Sequence, residues 1–467
     1  MKLRLISLAA LATVATAAQA GTPLTVAQVQ AIPASNTLYI GGSSAAKAII
    51  AGLFTQNCDA TTVVNFKSAK GSFASDKSDG ESHNVYACTL AAGNDWGLPA
   101  GQNAVIYKRE RGGSVFGVIT VAKNLPTDFI NIATCSDTTK TCTGTVSHTV
   151  DMGISDEEPT LFNATFNKPA TFDGVSTGFG SLTVSNSDFA QVTTVFSQVF
   201  GLAVSTTLFN DLQAAQGITV GSATLPTVSS SAIATILAGN AGDWSFLQNG
   251  ALAGAGNQIN ICRRDIGSGT QAASNAFFGQ YPFNATGGWT PAEGSNTTAD
   301  IAVSGGAPVI VMNVSGGTVS DCFAAANTAS TKAYAIGVLG LGSGTNGDYK
   351  FVKIDGANPS RDDAKVGNYG FYVESTMQIN KATTGAKLAF AKSFIAKSML
   401  PSNLNALSTG AKAGVFALPT AGSGIAGDDC TAVSSFPNPV TTTVATDLFC
   451  SRVTRNGSTA AVSQFAQ

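Results

Sequence analysis

Arg264, Ser268 and Thr270 lie together in the segment RRDIGSGT, which combines a guanidinium group with two hydroxyl groups. Gly267 and Gly269 stand between these side chains and allow the backbone to approach a bound group closely. Guanidinium, hydroxyl and backbone N–H groups are hydrogen-bond donors, and together they suit a negatively charged partner. The types and spacing of these residues therefore predict an anion-binding turn.

The residues after this turn predict the element that positions it. Ala273, Ala276 and Phe277 recur at the spacing of one buried helix face. A helix that begins at Ser268 directs unpaired N–H groups and the positive end of its dipole toward the turn, which favours an anion. The alternative for an isolated Ser-Gly-Thr is an ordinary helix N-cap with no ligand.

Three other segments place a polar residue at the end of a strand. IGGSSAA follows a short strand and precedes a helical pattern, with Ser44 at the helix start. ERGGSVFG places Ser114 after a glycine pair that separates two β-rich runs. VDMGISD is a strand that ends at Asp156, for which a helix N-cap is the alternative. We expect Glu157 and Glu158 in a solvated first turn that suits the helix dipole.

Length and composition limit the class of protein. The 467 residues exceed one compact core and suit two or three domains. Hydrophobic residues make up 44% and charged residues 12%, with a net charge of −2. This charge balance excludes general attraction to nucleic acid or to an anionic membrane, so any anion binding must be local.

Residues 1–20 have the pattern of a secretory signal peptide. Lys2 and Arg4 precede an apolar run, which ends at the small-residue cleavage pattern Ala18-Gln19-Ala20. The run is too short to span a membrane. We expect a protein that starts at Gly21 and lies in the periplasm or outside the cell.

The eight cysteines include no CxxC pair, and the chain has two histidines. These residues supply a metal site poorly, so we expect disulfides, no metal and no cofactor. Connectivity cannot be deduced from sequence, and our hypothesis pairs neighbours along the chain. Cys135 and Cys142 would close a short turn, and Cys430 and Cys450 would staple a loop-rich C-terminal appendage.

Helical and strand patterns alternate from about residue 200 to residue 353, which is typical of an α/β fold with a mixed sheet. The pattern of SAIATIL predicts a helix, and those of QINICRRD and AYAIGVLGL predict strands. KLAFAKSFIAKSM predicts an amphipathic helix near the end of the chain. Motifs for enzymes are missing, because neither histidine lies in a nucleophile–base pattern and no Gly-Lys dipeptide supports a nucleotide P-loop. We therefore expect a protein that is not an enzyme.

The four motifs together resemble the periplasmic phosphate-binding proteins of ABC phosphate-uptake systems, which belong to the type II periplasmic binding protein superfamily. RRDIGSGT is similar to the family's arginine and Ser-Gly-Thr motif. The resemblance implies that Arg264 is the counter-charge of the anion and that Ser268, Gly269 and Thr270 donate to it. We expect Arg263 to be a surface or inter-lobe ion-pair residue.

The other three motifs extend the resemblance. IGGSSAA looks like the family's first strand–turn–helix, which implies the Ser44 side chain and the Ala45 amide as ligands. ERGGSVFG implies the hydroxyl of Ser114, and VDMGISD implies the carboxylate of Asp156. The family has an acid two residues after its ligand arginine, where this chain has Ile266.

The resemblance implies a two-lobed α/β fold with a mixed sheet flanked by helices in each lobe, together with insertions and the stapled appendage. Lobe I would hold residues 21–204 and 356–467, and lobe II residues 205–355. The implied function is capture of inorganic phosphate in the cleft for an ABC permease, by a monomer that binds no nucleic acid. The alternatives are a secreted surface or scaffold protein with this fold, and a binder of another tetrahedral oxyanion.

Overall fold

The computed structural model describes residues 21–72, 79–94, 96–172, 174–247, 252, 257–284, 288–328, 333–419, 430 and 450–465. The predicted signal peptide lies outside the described residues. Of the predicted C-terminal appendage, Cys430 and residues 450–465 lie within the described residues.

The helices of the described chain are α1 Val26–Gln30, α2 Lys47–Thr55, α3 Ser114–Ala122, α4 Thr206–Ala215, α5 Ser230–Leu237, α6 Gly269–Gly279, α7 Gly316–Thr328, α8 Arg361–Lys365, α9 Gly385–Ser398, α10 Pro401–Asn405 and α11 Thr409–Ala413. The strands are β1 Thr37–Gly42, β2 Val64–Ser68, β3 His83–Thr89, β4 Asn103–Arg109, β5 Pro126–Ile130, β6 Thr141–Cys142, β7 Thr145–Thr149, β8 Met152–Ser155, β9 Thr171–Phe172, β10 Val175–Ser176, β11 Phe189–Ser205, β12 Thr227–Val228, β13 Ile259–Arg264, β14 Val309–Asn313, β15 Tyr334–Gly340, β16 Tyr349–Ile354, β17 Tyr372–Asn380, β18 Val415–Phe416, β19 Val453–Thr454 and β20 Gln464–Phe465.

One large mixed sheet runs through both lobes in the order β14-β13-β15-β11-β17-β8-β1-β4-β3-β2-β6. β1 lies parallel to β4 and β8, and β13 lies parallel to β14 and β15. The long strand β11 joins the two halves, because its first part pairs with β17 and its last part pairs with β15 and β16. The predicted mixed α/β class is therefore confirmed, and the halves of the sheet form the two lobes.

Separate apolar cores support the lobes. In lobe I, Ile49, Ile50, Leu53 and Phe54 of α2 pack on one face of the sheet, with the buried side of α9 beside them. The helix α3, which is buried from Ser114 to Val121, belongs to a second cluster of that lobe. In lobe II, α4, α5, α6 and α7 surround the β13–β15 region in one continuous cluster. Helical spacing of apolar residues predicted α2, α5, α6 and α9, and these helices pack against the sheet.

The run that follows Gly113 is a helix, and its interpretation as a second β-rich run was wrong. SVFGVITVA forms α3, in which every residue from Ser114 to Val121 is buried. β-branched residues have a modest preference for strands, and burial on all sides overrides that preference. The correction matters because Ser114 becomes the first residue of a helix.

The four disulfides confirm the pairing of sequence neighbours: Cys58–Cys88, Cys135–Cys142, Cys262–Cys322 and Cys430–Cys450. Cys262 lies on β13 and Cys322 on α7, so this bridge holds β13, the strand that ends at Arg264, against α7. Within the described part of the chain, no helix has both the length and the apolar character needed to span a bilayer.

Candidate functional site

Asp156 follows the last residue of β8, at the edge where the lobes meet. Its side chain is 1% exposed, and Oδ1 accepts a hydrogen bond from the Ser43 hydroxyl. The backbone N–H of Asp156 donates to Ser114 Oγ over 3.2 Å. Hydroxyl groups from two different elements therefore hold this residue in place.

Ser43 is a site residue that the sequence prediction missed in favour of its neighbour Ser44. It follows β1, where Gly42 has a φ of 115° that favours glycine, and its N–H donates to the Ile154 carbonyl over 2.9 Å. Ser43 Oγ also accepts from the Ala46 N–H over 3.1 Å at the start of α2. The strand register thus directs Ser43 toward Asp156.

Helix α6 brings the Ser-Gly-Thr turn of lobe II against the Asp156 side of lobe I. Ser268 is the N-cap of α6, since its Oγ accepts from the Gln271 N–H over 3.4 Å. A side chain at Gly269 would collide with the Asp156 carboxylate and the Ser114 hydroxyl. Ser268, Gly269 and Thr270 are all buried. The close approach of the two lobes at this point therefore requires glycine at position 269.

Arg264 ends β13 and is 3% exposed. Its Nε donates to the Asn313 carbonyl over 3.1 Å and its Nη2 to the Val314 carbonyl over 2.8 Å. Its Nη1 donates to Ser44 Oγ in the other lobe over 3.0 Å. Burial lowers the pKa of Arg264 to about 10, and Asp265 and Asp156 act in the opposite direction. Arg264 is thus a cation at neutral pH that links the two lobes.

The protonation of Asp156 reflects several opposing influences. Burial raises the pKa of its carboxyl above the ordinary value. The hydrogen bond from Ser43, the charges of Arg264 and Lys108, and the hydrogen bond with Ser114 act in the opposite direction. Asp156 therefore combines a buried carboxyl, for which burial favours the neutral form, with two nearby cations that favour the ionised form.

Several backbone N–H groups at this junction have no hydrogen-bond partner among the described residues: those of Ser44, Ala45, Ser114, Gly269 and Thr270. All of them lie at or just before the first turn of α2, α3 or α6. Helix N-termini carry unpaired donors and partial positive charge, which makes them suitable for anions. By contrast, the N–H of Val115 donates to the Gly267 carbonyl over 3.0 Å and closes one inter-lobe contact.

The structure brings together most of the residues that the sequence singled out. Asp156, Ser114 and Gly269 meet directly, and Ser44 contacts Arg264. The half-buried Ala45 packs against the lobe II core. Their role as ligands stays a prediction.

Two neighbouring charged residues correct the sequence interpretation. Arg263 is 3% exposed rather than at the surface, and its side chain donates to the carbonyls of Arg264 and Ala292 within lobe II. Glu157 is fully buried rather than solvated, and burial raises the pKa of its carboxyl well above the ordinary value. The physical reason is that β8 leads into the largely buried 3-10 turn Pro159–Asn163 rather than into an exposed helix.

Lys108 is a second buried residue that the sequence prediction missed. It lies on β4, is fully buried, and donates from Nζ to the carbonyls of Gly42 and Ser43 over 2.9 and 3.2 Å. Lys108 thus lies behind the turn that carries Ser43 and Ser44. Within VIYKRE, a lysine in a β-rich run gives no sign that it is buried.

Taken together, the junction offers unpaired N–H donors, hydroxyl groups, a guanidinium and one buried carboxyl. Donors of this kind, drawn from both lobes, suit a small oxyanion. The carboxyl suits an anion that still carries a proton, since an ionised carboxylate can only accept.

No family model and no curated protein matches the sequence. Solved structures with a similar fold include the following three. A substrate-binding protein from Clostridium perfringens, assigned to a phosphate ABC transporter and holding phosphate, has 11% identity, covers 80% of this chain and 98% of its own, and has a TM-score of 0.42.

An ABC-type phosphate transport receptor from Vibrio cholerae has 12% identity, covers 79% of this chain and 96% of its own, and has a TM-score of 0.38. PstS from Borrelia burgdorferi has 12% identity with the same coverages and a TM-score of 0.33.

Proposed function

We propose that this protein is a solute-binding protein that captures inorganic phosphate between its two lobes. The observation that carries the proposal is Asp156, a buried carboxyl that lies among hydrogen-bond donors from both lobes. A site made only of donors would suit any oxyanion, whereas one acceptor among them suits an oxyanion that is still protonated.

Phosphate at neutral pH keeps at least one proton, which Asp156 can accept in a hydrogen bond. Sulfate has no such proton, so its oxygen would face the Asp156 carboxylate with like charge. Like charges repel strongly in a cleft of low dielectric constant. We therefore propose that Asp156 selects phosphate by rejecting the fully deprotonated anion.

The remaining contacts of the proposed site are donors. From lobe I we propose the hydroxyls of Ser44 and Ser114 and the N–H of Ala45. From lobe II we propose Arg264 with Ser268, Gly269 and Thr270. Their support is the position of unpaired N–H groups at the starts of α2, α3 and α6, on both sides of the junction.

The two-lobed arrangement supports a capture mechanism by hinge motion. The long strand β11 and the segment before β17 join the lobes, while Arg264 and Ser44 bridge them beside the site. A ligand that contacts both lobes binds the closed form better than the open form and shifts the population toward it. For the extent of the lobes we retain residues 21–204 with 356–467, and 205–355.

We further propose that the protein acts without catalysis, as an exported monomer that delivers phosphate to an ABC permease. A periplasmic or extracellular location fits four disulfides. The alternative of a surface or scaffold protein with this fold would need no ligand.

Calorimetry of the purified mature protein with inorganic phosphate tests the proposal. We expect saturable binding with one phosphate per chain. At a phosphate concentration one hundred times the dissociation constant, ligand linkage should raise the free energy of unfolding by about 2.7 kcal/mol and thereby raise the melting temperature. Absence of binding heat and of any thermal shift at millimolar phosphate would instead support the scaffold alternative.

A further inference from the structure

Lys108 is held by backbone carbonyls rather than by a carboxylate. Its ammonium group donates to Gly42 O over 2.9 Å, Ser43 O over 3.2 Å and Arg109 O over 3.0 Å. An ammonium group has three donors, so all of them are used. Two of these bonds fix the turn between β1 and α2.

The bond to the Ser43 carbonyl also orients the next N–H group. In a trans peptide the C=O of one residue and the N–H of the next point to opposite sides. Because Ser43 O points toward Lys108, the N–H of Ser44 points away from it. Arg264 reaches the hydroxyl of that same Ser44 from lobe II. Lys108 therefore fixes the direction of a donor that lies in the proposed site.

A fully buried cation is expensive unless neighbouring charges offset the cost. Burial lowers the pKa of Lys108 to about 8, Glu110 and Asp156 favour its charged form, and Lys47 and Arg109 oppose it. Glu110 is itself buried and accepts from Asn84 over 3.3 Å. The chain thus retains a buried positive charge beside the Ser43–Ser44 turn, although burial of that charge is costly.

We propose that Lys108 is a positioning residue of the phosphate site, which orients the Ser43–Ser44 turn and adds a second positive charge behind it. This inference rests on the phosphate-binding function proposed above. Together with Arg264, Lys108 would offset the negative charge of Asp156 and leave the site attractive to a dianion.

Phosphate titrations of Lys108→Met and Lys108→Gln test this role. Met removes the donors and the charge, whereas Gln retains an N–H donor without the charge. We expect Lys108→Met to weaken binding at least about tenfold and Lys108→Gln to weaken it less. The matched control is Lys47→Met, since the side chain of Lys47 donates to the Gly80 carbonyl over 3.1 Å and not to this turn. We expect the control to change affinity less than about twofold.

The pH profile of the wild type separates charge from structure. As the pH rises through about 8, Lys108 loses its proton and phosphate affinity should fall. The contribution of this group to the free energy of unfolding should rise over the same range, because its pKa is lowered in the folded state and its buried charge is a cost. A purely structural role would not lower affinity while stability increases.

Each outcome decides a different question. If the wild type binds no phosphate, the proposed function and this inference both fail. If the wild type binds phosphate and the folded Lys108→Met variant has a phosphate affinity within about twofold of the wild type, only the role of Lys108 is wrong. Should neither variant fold, an affinity that stays constant across the pKa of Lys108 in the wild type would still overturn the inference.

Discussion

The two lobes contribute differently to the candidate site. Lobe I supplies a carboxyl and hydroxyl groups: the Ser43 hydroxyl donates to the Asp156 carboxylate, and the Ser114 hydroxyl accepts from the Asp156 N–H. Lobe II supplies a guanidinium and the start of α6, where Gly269 and Thr270 have N–H groups without partners among the described residues. On the proposed function, this division predicts that selectivity for phosphate depends mainly on lobe I and affinity mainly on lobe II.

The largest expected effect concerns selectivity. A site built around one hydrogen bond rejects an analogue that lacks it by about 10⁴-fold, so wild type should prefer phosphate over sulfate by about that factor. Asp156→Asn should narrow this ratio by about a hundredfold or more, because an amide can donate to sulfate. Competition titrations with both anions measure the ratio. Equal binding of the two anions by wild type would contradict the role of Asp156.

The next effect concerns the charge in lobe II. Removing one partner of a buried charge pair costs about 2–5 kcal/mol, so Arg264→Ala should weaken phosphate binding about thirtyfold or more. The ratio of phosphate to sulfate affinity should stay nearly constant, because the guanidinium donates to either anion. Arg263→Ala is the matched control, since that side chain donates to carbonyls within lobe II. Equal affinity of the two variants would show that the wrong arginine was chosen.

The contact between the lobes gives a third expected effect. A methyl group at Gly269 would collide with the Asp156 carboxylate and the Ser114 hydroxyl. Gly269→Ala should therefore hinder closure and weaken phosphate binding about tenfold while lobe II stays folded. Small-angle scattering with and without phosphate should record a smaller compaction than in wild type. Gly316→Ala is a control, because the nearest atom to its added methyl lies 3.6 Å away.

Ser43 gives the smallest expected effect and the most specific pH dependence. Its hydroxyl lowers the pKa of Asp156, which burial raises. Protonated Asp156 can donate to sulfate, so sulfate binding should appear as the pH falls through that pKa. Ser43→Ala should shift this onset to higher pH and change phosphate affinity only about threefold. Sulfate titrations across the acidic range measure the onset, and an onset unchanged from wild type would contradict the contact with Asp156.

The sequence predicted features that depend on local patterns. β13 and α6 follow from alternation, helical spacing and the Ser268 cap, and β8 ends just before Asp156 as its pattern indicates. The disulfides also follow the chain order. Local signals of this kind assign residues to helices and strands. The right-handed connections of α/β folds then bring the carboxyl ends of parallel strands to the same edge of the sheet.

Features that depend on tertiary burial could not be predicted. Which of Ser43 and Ser44 faces Asp156 depends on the residue at which β1 ends, and a shift of one residue reverses the side. Lys108 and Glu157 are charged residues that are fully buried, which is rare without partners from elsewhere in the fold. Burial also explains why the β-branched run after Gly113 forms the helix α3 rather than a strand.

The position of β17 in the sheet determines when lobe I can be completed. β17 lies between β8 and β11, and both neighbours precede it by many residues in the chain. Until Tyr372–Asn380 is available, β8 has an unpaired edge that invites aggregation. Lobe I, which carries Asp156, therefore needs β17 to complete its part of the sheet. We expect fragments that end before β17 to aggregate, whereas the full chain can fold as one unit.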